Sequence, residues 1–215
     1  MAALIDLFNL SRKSNTMNSF WDERYSGSTY AYGEEPNEFL RNFLDRSSPG
    51  TALFPAEGEG RNAVYAARRG WKVEAFDISE AGRRKALQLA GRHQVSLEYT
   101  LGSAADFRAA GPYKLVALIY AHFHPDIREP FFGELIRSLA PGGVLLLEAF
   151  GLKQLGNHSG GPGDPALLYT VDELAGLCRS LHIELLHEAR IELDEGPFHQ
   201  GFADVVRMIA RKLSQ

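Results

Sequence analysis

Two short stretches of the chain concentrate groups that could do chemistry. Glu57-Gly58-Glu59-Gly60-Arg61-Asn62-Ala63 places two carboxylates, two glycines and a guanidinium side by side, and Asp77 follows a short distance on. Glycines in such a loop let the backbone turn tightly and approach a ligand closely. A loop that opens a helix also presents unpaired N–H groups to an anion. A carboxylate at Asp77 is placed to accept hydrogen bonds from two ribose hydroxyls. The second stretch, Ala121-His122-Phe123-His124-Pro125, carries two imidazoles. His122 is the candidate base or acceptor-orienting group, and His199, in Pro197-Phe198-His199-Gln200-Gly201, is a further candidate. No cysteine or acidic residue adjoins the His122/His124 pair, so no metal site is expected.

The glycine loop alone leaves the ligand open. Gly58-Glu59-Gly60-Arg61-Asn62-Ala63 satisfies the dinucleotide pattern G-x-G-x-x-A, which is compatible with a nicotinamide-dependent oxidoreductase. Charge separates the options. A pyrophosphate on this loop would meet Glu57 and Glu59, at an electrostatic cost unless they point away. S-adenosylmethionine carries no phosphate. Glu57 can meet its ammonium and Arg61 its carboxylate, so the sulfonium cofactor is favoured. A protein that binds this cofactor without turnover is the third option.

These groups must be held by surrounding elements. Thr51 to Pro55 reads as a short apolar strand running into the glycine loop, and Arg61 to Arg69 as a helix stopped by Gly70. Lys72 to Phe76 is a second strand ending at Asp77. Ser79 is an N-cap for a helix to about His93. Further strands are expected at Leu97 to Leu101, Leu115 to Tyr120 and Val144 to Phe150, with a helix at Asp126 to Leu139 stopped by Pro141-Gly142-Gly143. Alternation of this kind predicts a parallel, doubly wound α/β sheet with right-handed crossovers. After a helix from Val171 to about Ser180, the runs Ile183 to Leu193 and Phe202 to Lys212 flank Asp194-Glu195-Gly196-Pro197. They predict an antiparallel addition to the sheet. The Gly- and Pro-rich loop from Gly156 to Pro165 is a candidate flap with glycine hinges.

Bulk properties narrow the partners. The chain has 215 residues and a formal net charge of −4, with no global attraction to nucleic acid or an anionic membrane. The clusters Arg68-Arg69 and Arg83-Arg84-Lys85 are expected on solvated helix faces. No apolar run reaches the length of a bilayer span. The single cysteine, Cys178, excludes an internal disulfide, and a reducing cytoplasm is the simplest compartment. Residues 1–18 read as a flexible extension, and 19–215 as one domain opened by a lid over 19–45.

The motifs in order resemble the class I methyltransferases related to the tellurite-resistance and thiopurine methyltransferases. The likeness begins with Glu57-Gly58-Glu59-Gly60-Arg61-Asn62-Ala63-Val64-Tyr65 and extends to several other segments. Phe20-Trp21-Asp22-Glu23-Arg24-Tyr25 and Tyr32-Gly33-Glu34-Glu35-Pro36-Asn37 look like that group's N-terminal lid. Phe76-Asp77-Ile78-Ser79, Pro141-Gly142-Gly143-Val144 and Gly160-Gly161-Pro162 look like later motifs. The resemblance implies a Rossmann-like sheet of seven strands, mostly parallel, with an antiparallel last strand. It also implies S-adenosylmethionine as methyl donor and a small-molecule acceptor such as a thiol, a chalcogen oxyanion or another soft nucleophile. Glu57, Gly58, Gly60 and Arg61 would then line the methionine end, and Asp77 would hold the ribose. Ser103, Ala104 and Ala105 would flank the adenine, and Tyr120 and Ala121 would lie under the transferred methyl. By their residue types, the aromatic Trp21, Tyr25, Tyr30 and Tyr32 in the polar N-terminal stretch could cover the cofactor, shape an apolar acceptor pocket or stabilise the sulfonium, with His199 as a further substrate-side candidate. Two positions depart from the pattern: Phe54 and Pro55 replace an acidic residue late in the first strand, and Ser103 replaces one after the third.

Overall fold

The computed structural model describes residues 19–108 and 110–214. The expectation for residues 1–18 therefore lies outside the described residues. Seven strands form one sheet: β1 (Thr51–Pro55), β2 (Lys72–Asp77), β3 (Glu98–Leu101), β4 (Tyr113–Ile119), β5 (Leu139–Phe150), β6 (His182–Asp194) and β7 (Gln200–Arg211). Their order is β3-β2-β1-β4-β5-β7-β6. The first five pair in parallel, and β7 runs antiparallel between β5 and β6. The predicted doubly wound architecture is thus present, with the last strand inserted inside the edge.

The helices are α1 (Glu38–Leu44), α2 (Arg61–Arg68), α3 (Glu80–Arg92), α4 (Pro125–Ser138) and α5 (Val171–Leu177). Local chemistry starts several of them. The Asn37, Ser79 and Thr170 side chains accept from Leu40, Gly82 and Glu173 N–H groups, capping α1, α3 and α5. Residues 19–25 form a further helical segment.

Both sheet faces are covered, which explains the uninterrupted apolar reading of β4. On one face Leu40, Leu44, Phe54, Ala63, Ala66 and Ala86 pack below α1, α2 and α3. On the other Phe131, Phe132, Leu135, Leu174 and Cys178 pack below α4 and α5. Small residues on α2 bring that helix close to the sheet, as the run of alanines predicts.

Some boundaries differ from expectation. Pro141-Gly142-Gly143 does not precede β5 but lies inside it. The register jumps there, with Tyr113 opposite Leu139 and Leu115 opposite Val144. The turn survives within the strand because the end of the chain pairs with it: Gly142 N–H donates to Lys212 O, and Lys212 N–H to Gly143 O. The last helix stops at Leu177, short of Ser180. Lys85 is buried rather than solvated, and its ammonium lies 2.5 Å from Glu59.

Candidate active site

The carboxyl ends of the parallel strands converge on one crest, where ligands of open α/β sheets bind. Two non-glycine residues at strand ends there adopt the left-handed conformation, Ala56 after β1 and Tyr120 after β4, each with φ of 51°. Such backbone costs roughly 1–3 kcal/mol and clusters where a fold fixes a functional turn.

On the β1–β2 side the glycine loop is tied to its neighbours by carboxylates. Gly58 N–H donates to Asp77 Oδ2 (2.9 Å), and Ser79 N–H donates to Asp77 Oδ1 (2.8 Å). Burial raises the Asp77 carboxyl to about 6 against these bonds. Gly60 sits at φ +85°, and a Cβ there would lie 2.5 Å from that of Ala86, so only glycine lets α2 approach α3 this closely. Gly58 lies beneath Tyr25 and Gly60 against α3, and Asp77 ties the loop to the start of α3 through both of its oxygens. The helical segment 19–25 caps this side. Asp22 accepts from Ser79 Oγ and Ala81 N–H at the start of α3. Tyr25 is buried over Gly58 and Gly82, with Trp21 stacked on its ring. Tyr30, by contrast, docks the segment away from the crest through Lys85 O.

Several charged groups take roles other than those expected. Glu57 does not project toward a ligand's ammonium. Its carboxylate accepts from Ala63 N–H (2.7 Å) and so caps α2, whose N-cap Gly60 has no side chain to do so. Burial raises it to about 7. Glu59 turns into the lid, accepting from Ala31 N–H (2.7 Å) and facing Lys85. Glu59 thus points away from the loop, whereas Glu57 occupies the N-terminus of α2, where a pyrophosphate would have to sit, and still opposes one. Arg61 does not face the loop either; its guanidinium pairs with Glu195 at 2.8 Å and donates to Glu35 O. After β3, Ser103 Oγ accepts from Ala105 N–H, and Ala104 packs against the core. Ala105 is exposed, and Phe107 stacks on Phe76 nearby.

The β4–β5 side is built from residues far apart in sequence. Glu148, fully buried at the end of β5, accepts from Asn37 Nδ2 (2.6 Å), Tyr120 Oη (2.8 Å) and Arg207 Nε (2.5 Å). Ala121 is buried beside Tyr120. The β6–β7 hairpin extends beyond the crest and contributes Glu195 and His199. His199 Nδ1 lies 3.2 Å from Glu195 Oε2, and its ring packs against Tyr32, Tyr120 and Phe150. Burial alone would raise the Glu195 carboxyl, but the His199 bond and the Arg61 charge outweigh it and hold it down at about 2. A cavity of about 640 Å³ adjoins this network, with Tyr32, Arg61, Glu148, Glu195 and Arg207 in its wall.

His122 is not available as the expected base. Its Nδ1 lies 2.8 Å from Leu167 O, and Phe150 N–H donates to Nε2. Both ring nitrogens are thereby engaged by backbone, and burial lowers the imidazole to about 4. The supposed flap is also held down. Gln154 donates to Ser159 Oγ and Gly160 O, and Asn157 donates to Asp204. Sequence reasoning did not single out Glu148 or Arg207 for the site and marked Asn37 only as the end of a lid segment; their partners lie on other elements, so no local pattern shows the network. Glu195 was visible only as part of a turn.

Residues 55–143 match the model of a methyltransferase domain. No curated protein matches the chain significantly. Among solved structures, one described with the conversion of a disulfide bond into a thioacetal group during echinomycin biosynthesis is similar at 18% identity. It covers 92% of each chain with a TM-score of 0.72. TehB from Haemophilus influenzae is similar at 14% identity, over 91% of this chain and 66% of that one, with a TM-score of 0.70. The N-methyltransferase NodS from Bradyrhizobium japonicum WM9, in complex with S-adenosyl-L-homocysteine, is similar at 13% identity over 91% and 97%, with a TM-score of 0.68. At these identities the likeness is one of fold. No helix among the described residues is long and apolar enough to cross a membrane. The segment that builds the crest thus matches a methyltransferase domain, and the chain as a whole shares the fold of methyltransferases of known structure.

Proposed function

We propose that this enzyme transfers the methyl group of S-adenosylmethionine to a small-molecule acceptor held on the β4–β5 side of the crest. The observation that carries this reading is the division of the crest: a glycine cradle beside the Asp77 carboxylate adjoins an aromatic wall of Tyr32, Tyr120 and Phe150 around His199. The nucleoside would lie against Gly58, Gly60 and Asp77, with Ser103 to Ala105 at its base edge. Tyr120 and Ala121 would lie beneath the methyl. Residues 19–45 would act as the lid of a single domain spanning 19–215, with Trp21 and Tyr25 over the cofactor and Tyr32 over the acceptor.

Methyl transfer is an in-line displacement, so the protein's main tasks are alignment and exclusion of water. The described lid suits both, because its aromatic residues already pack on the cradle and on His199. Kinship with the tellurite-resistance and thiopurine group is supported by the order of motifs around the glycine loop. The structural relatives are described with a thioacetal, the N-methyltransferase NodS and a magnesium protoporphyrin IX methyltransferase. Small acceptors of several kinds therefore suit this fold.

Calorimetry on the intact chain tests the reading. S-adenosylmethionine and S-adenosylhomocysteine are expected to bind, and NAD is not. Asp77→Ala is expected to weaken binding at least about tenfold, or about 1.4 kcal/mol. Failure of the folded chain to bind either S-adenosyl compound would overturn the proposal; unchanged affinity in Asp77→Ala would remove the ribose assignment.

A further inference from the structure

We infer that His199, positioned by Glu195, is the general base of the transfer, and that the acceptor is a protic nucleophile, a thiol, phenol or amine, rather than an ion carrying no proton. This rests on the methyl-transfer reading above. Among the histidines near the crest, His122 has both ring nitrogens bonded to backbone, and His124 is exposed beside Asp126. His199 alone combines burial, a carboxylate behind the ring and an aromatic enclosure at the end of β4.

The geometry fixes the tautomer. Glu195 accepts, so Nδ1 carries the hydrogen and Nε2 keeps the lone pair. Nε2 lies on the opposite edge of the ring, beside the Gly160 backbone. Glu195 is itself held by Arg61, which donates to the same Oε2 at 2.8 Å, and by Asn37, whose Nδ2 donates to Oε1. In the reaction, Nε2 takes the acceptor's proton while the acceptor's lone pair bonds to the methyl carbon. The carbon–sulfur electron pair goes to sulfur, leaving neutral S-adenosylhomocysteine. The positive charge lost at sulfur reappears on the imidazolium, next to the Glu195 carboxylate. The imidazolium then returns its proton to water.

The groups that face the ring are Glu195, Arg61, Glu148, His122, Tyr32 and Tyr120. Burial lowers the His199 imidazole below its ordinary value, against the upward pull of Glu195. The ring is therefore neutral and ready to accept a proton at neutral pH. Removing Glu195 lowers it further.

The test joins turnover with two readouts independent of it. The probes are a series of substituted thiophenols, an alkyl thiol and iodide, each with labelled methyl donor. His199→Asn is expected to bind S-adenosylhomocysteine as the wild type does, while kcat for the least acidic thiol falls by about 10²–10⁴ and that for an already ionised thiophenol falls much less. In nitrogen-15 NMR of the complex with S-adenosylhomocysteine, His199 is expected as the Nδ1–H tautomer. Glu195→Gln is expected to move both its titration and the acid limb of kcat to lower pH. Lost binding in both wild type and variant would defeat the methyl-transfer reading itself. With binding intact, iodide as the sole acceptor, undiminished thiol turnover in His199→Asn, or an unmoved titration in Glu195→Gln would overturn the general base.

Discussion

The two halves of the crest use their carboxylates in opposite ways. On the cofactor side, Glu57 and Asp77 accept from backbone N–H groups of Ala63, Gly58 and Ser79, so the charges fix the path of the chain. On the acceptor side, Glu148 and Glu195 accept from the side chains of Asn37, Tyr120, Arg207 and Arg61 and face His199, so the charges fix one another. The first arrangement fixes the backbone of the glycine loop; the second holds side chains from distant segments in one network.

The contrast can be broken first at its most buried point. Glu148→Ala leaves Arg207, Asn37 and Tyr120 without their shared acceptor and is expected to cost about 3–5 kcal/mol, measured by denaturant unfolding. A loss below about 1 kcal/mol would mean that the network does not hold the acceptor side together.

The cofactor side should reveal itself in the pH dependence of stability. Asp77 titrates at about 6 in the fold, above its unfolded value of about 3.9. Its protonated form therefore stabilises the fold fully below about 4, and that contribution, about 3 kcal/mol, is lost as pH rises through about 6. Asp77→Asn should flatten this part of the profile; an unchanged slope would show that the carboxyl is not desolvated.

Gly60→Ala sharpens the same side. The added Cβ meets the Cβ and backbone of Ala86 at 2.5 and 2.8 Å, and the overpacking is expected to cost about 1–3 kcal/mol in thermal melts, along with weakened binding of S-adenosylhomocysteine. Native stability and affinity in this variant would mean that α2 and α3 can separate freely. The smallest effect is expected from Tyr120→Phe, which removes one bond to Glu148 at about 1 kcal/mol. A much larger loss would show that this hydroxyl anchors the strained turn after β4.

The same contrast explains what could be read from sequence. Gly58, Asp77 and Ser79 are joined over at most nineteen residues, and apolar strands with capped helices announce where they lie. The parallel, doubly wound sheet followed from the same rhythm. The acceptor network joins Asn37 to Glu148 across 111 positions and Arg61 to Glu195 across 134. No local pattern marks such pairs, because their partners are chosen by strand register. Charged residues misled for a related reason: Glu57, Arg61 and Lys85 read as ligands or solvated groups, yet each has a protein partner that only the folded chain supplies.

The insertion of β7 between β5 and β6 has a bearing on how such an enzyme can change over evolutionary time. Because β6 runs toward the crest and β7 leads directly away from it, the segment bearing Glu195 and His199 is a simple reversal of the chain with no crossover helix. Exchanges at that tip leave the register of β5 with β7 in place but reach Arg61 at the start of α2 and the lid backbone at Ala31. On the proposed reading, acceptor preference would be altered by exchanges within this one hairpin.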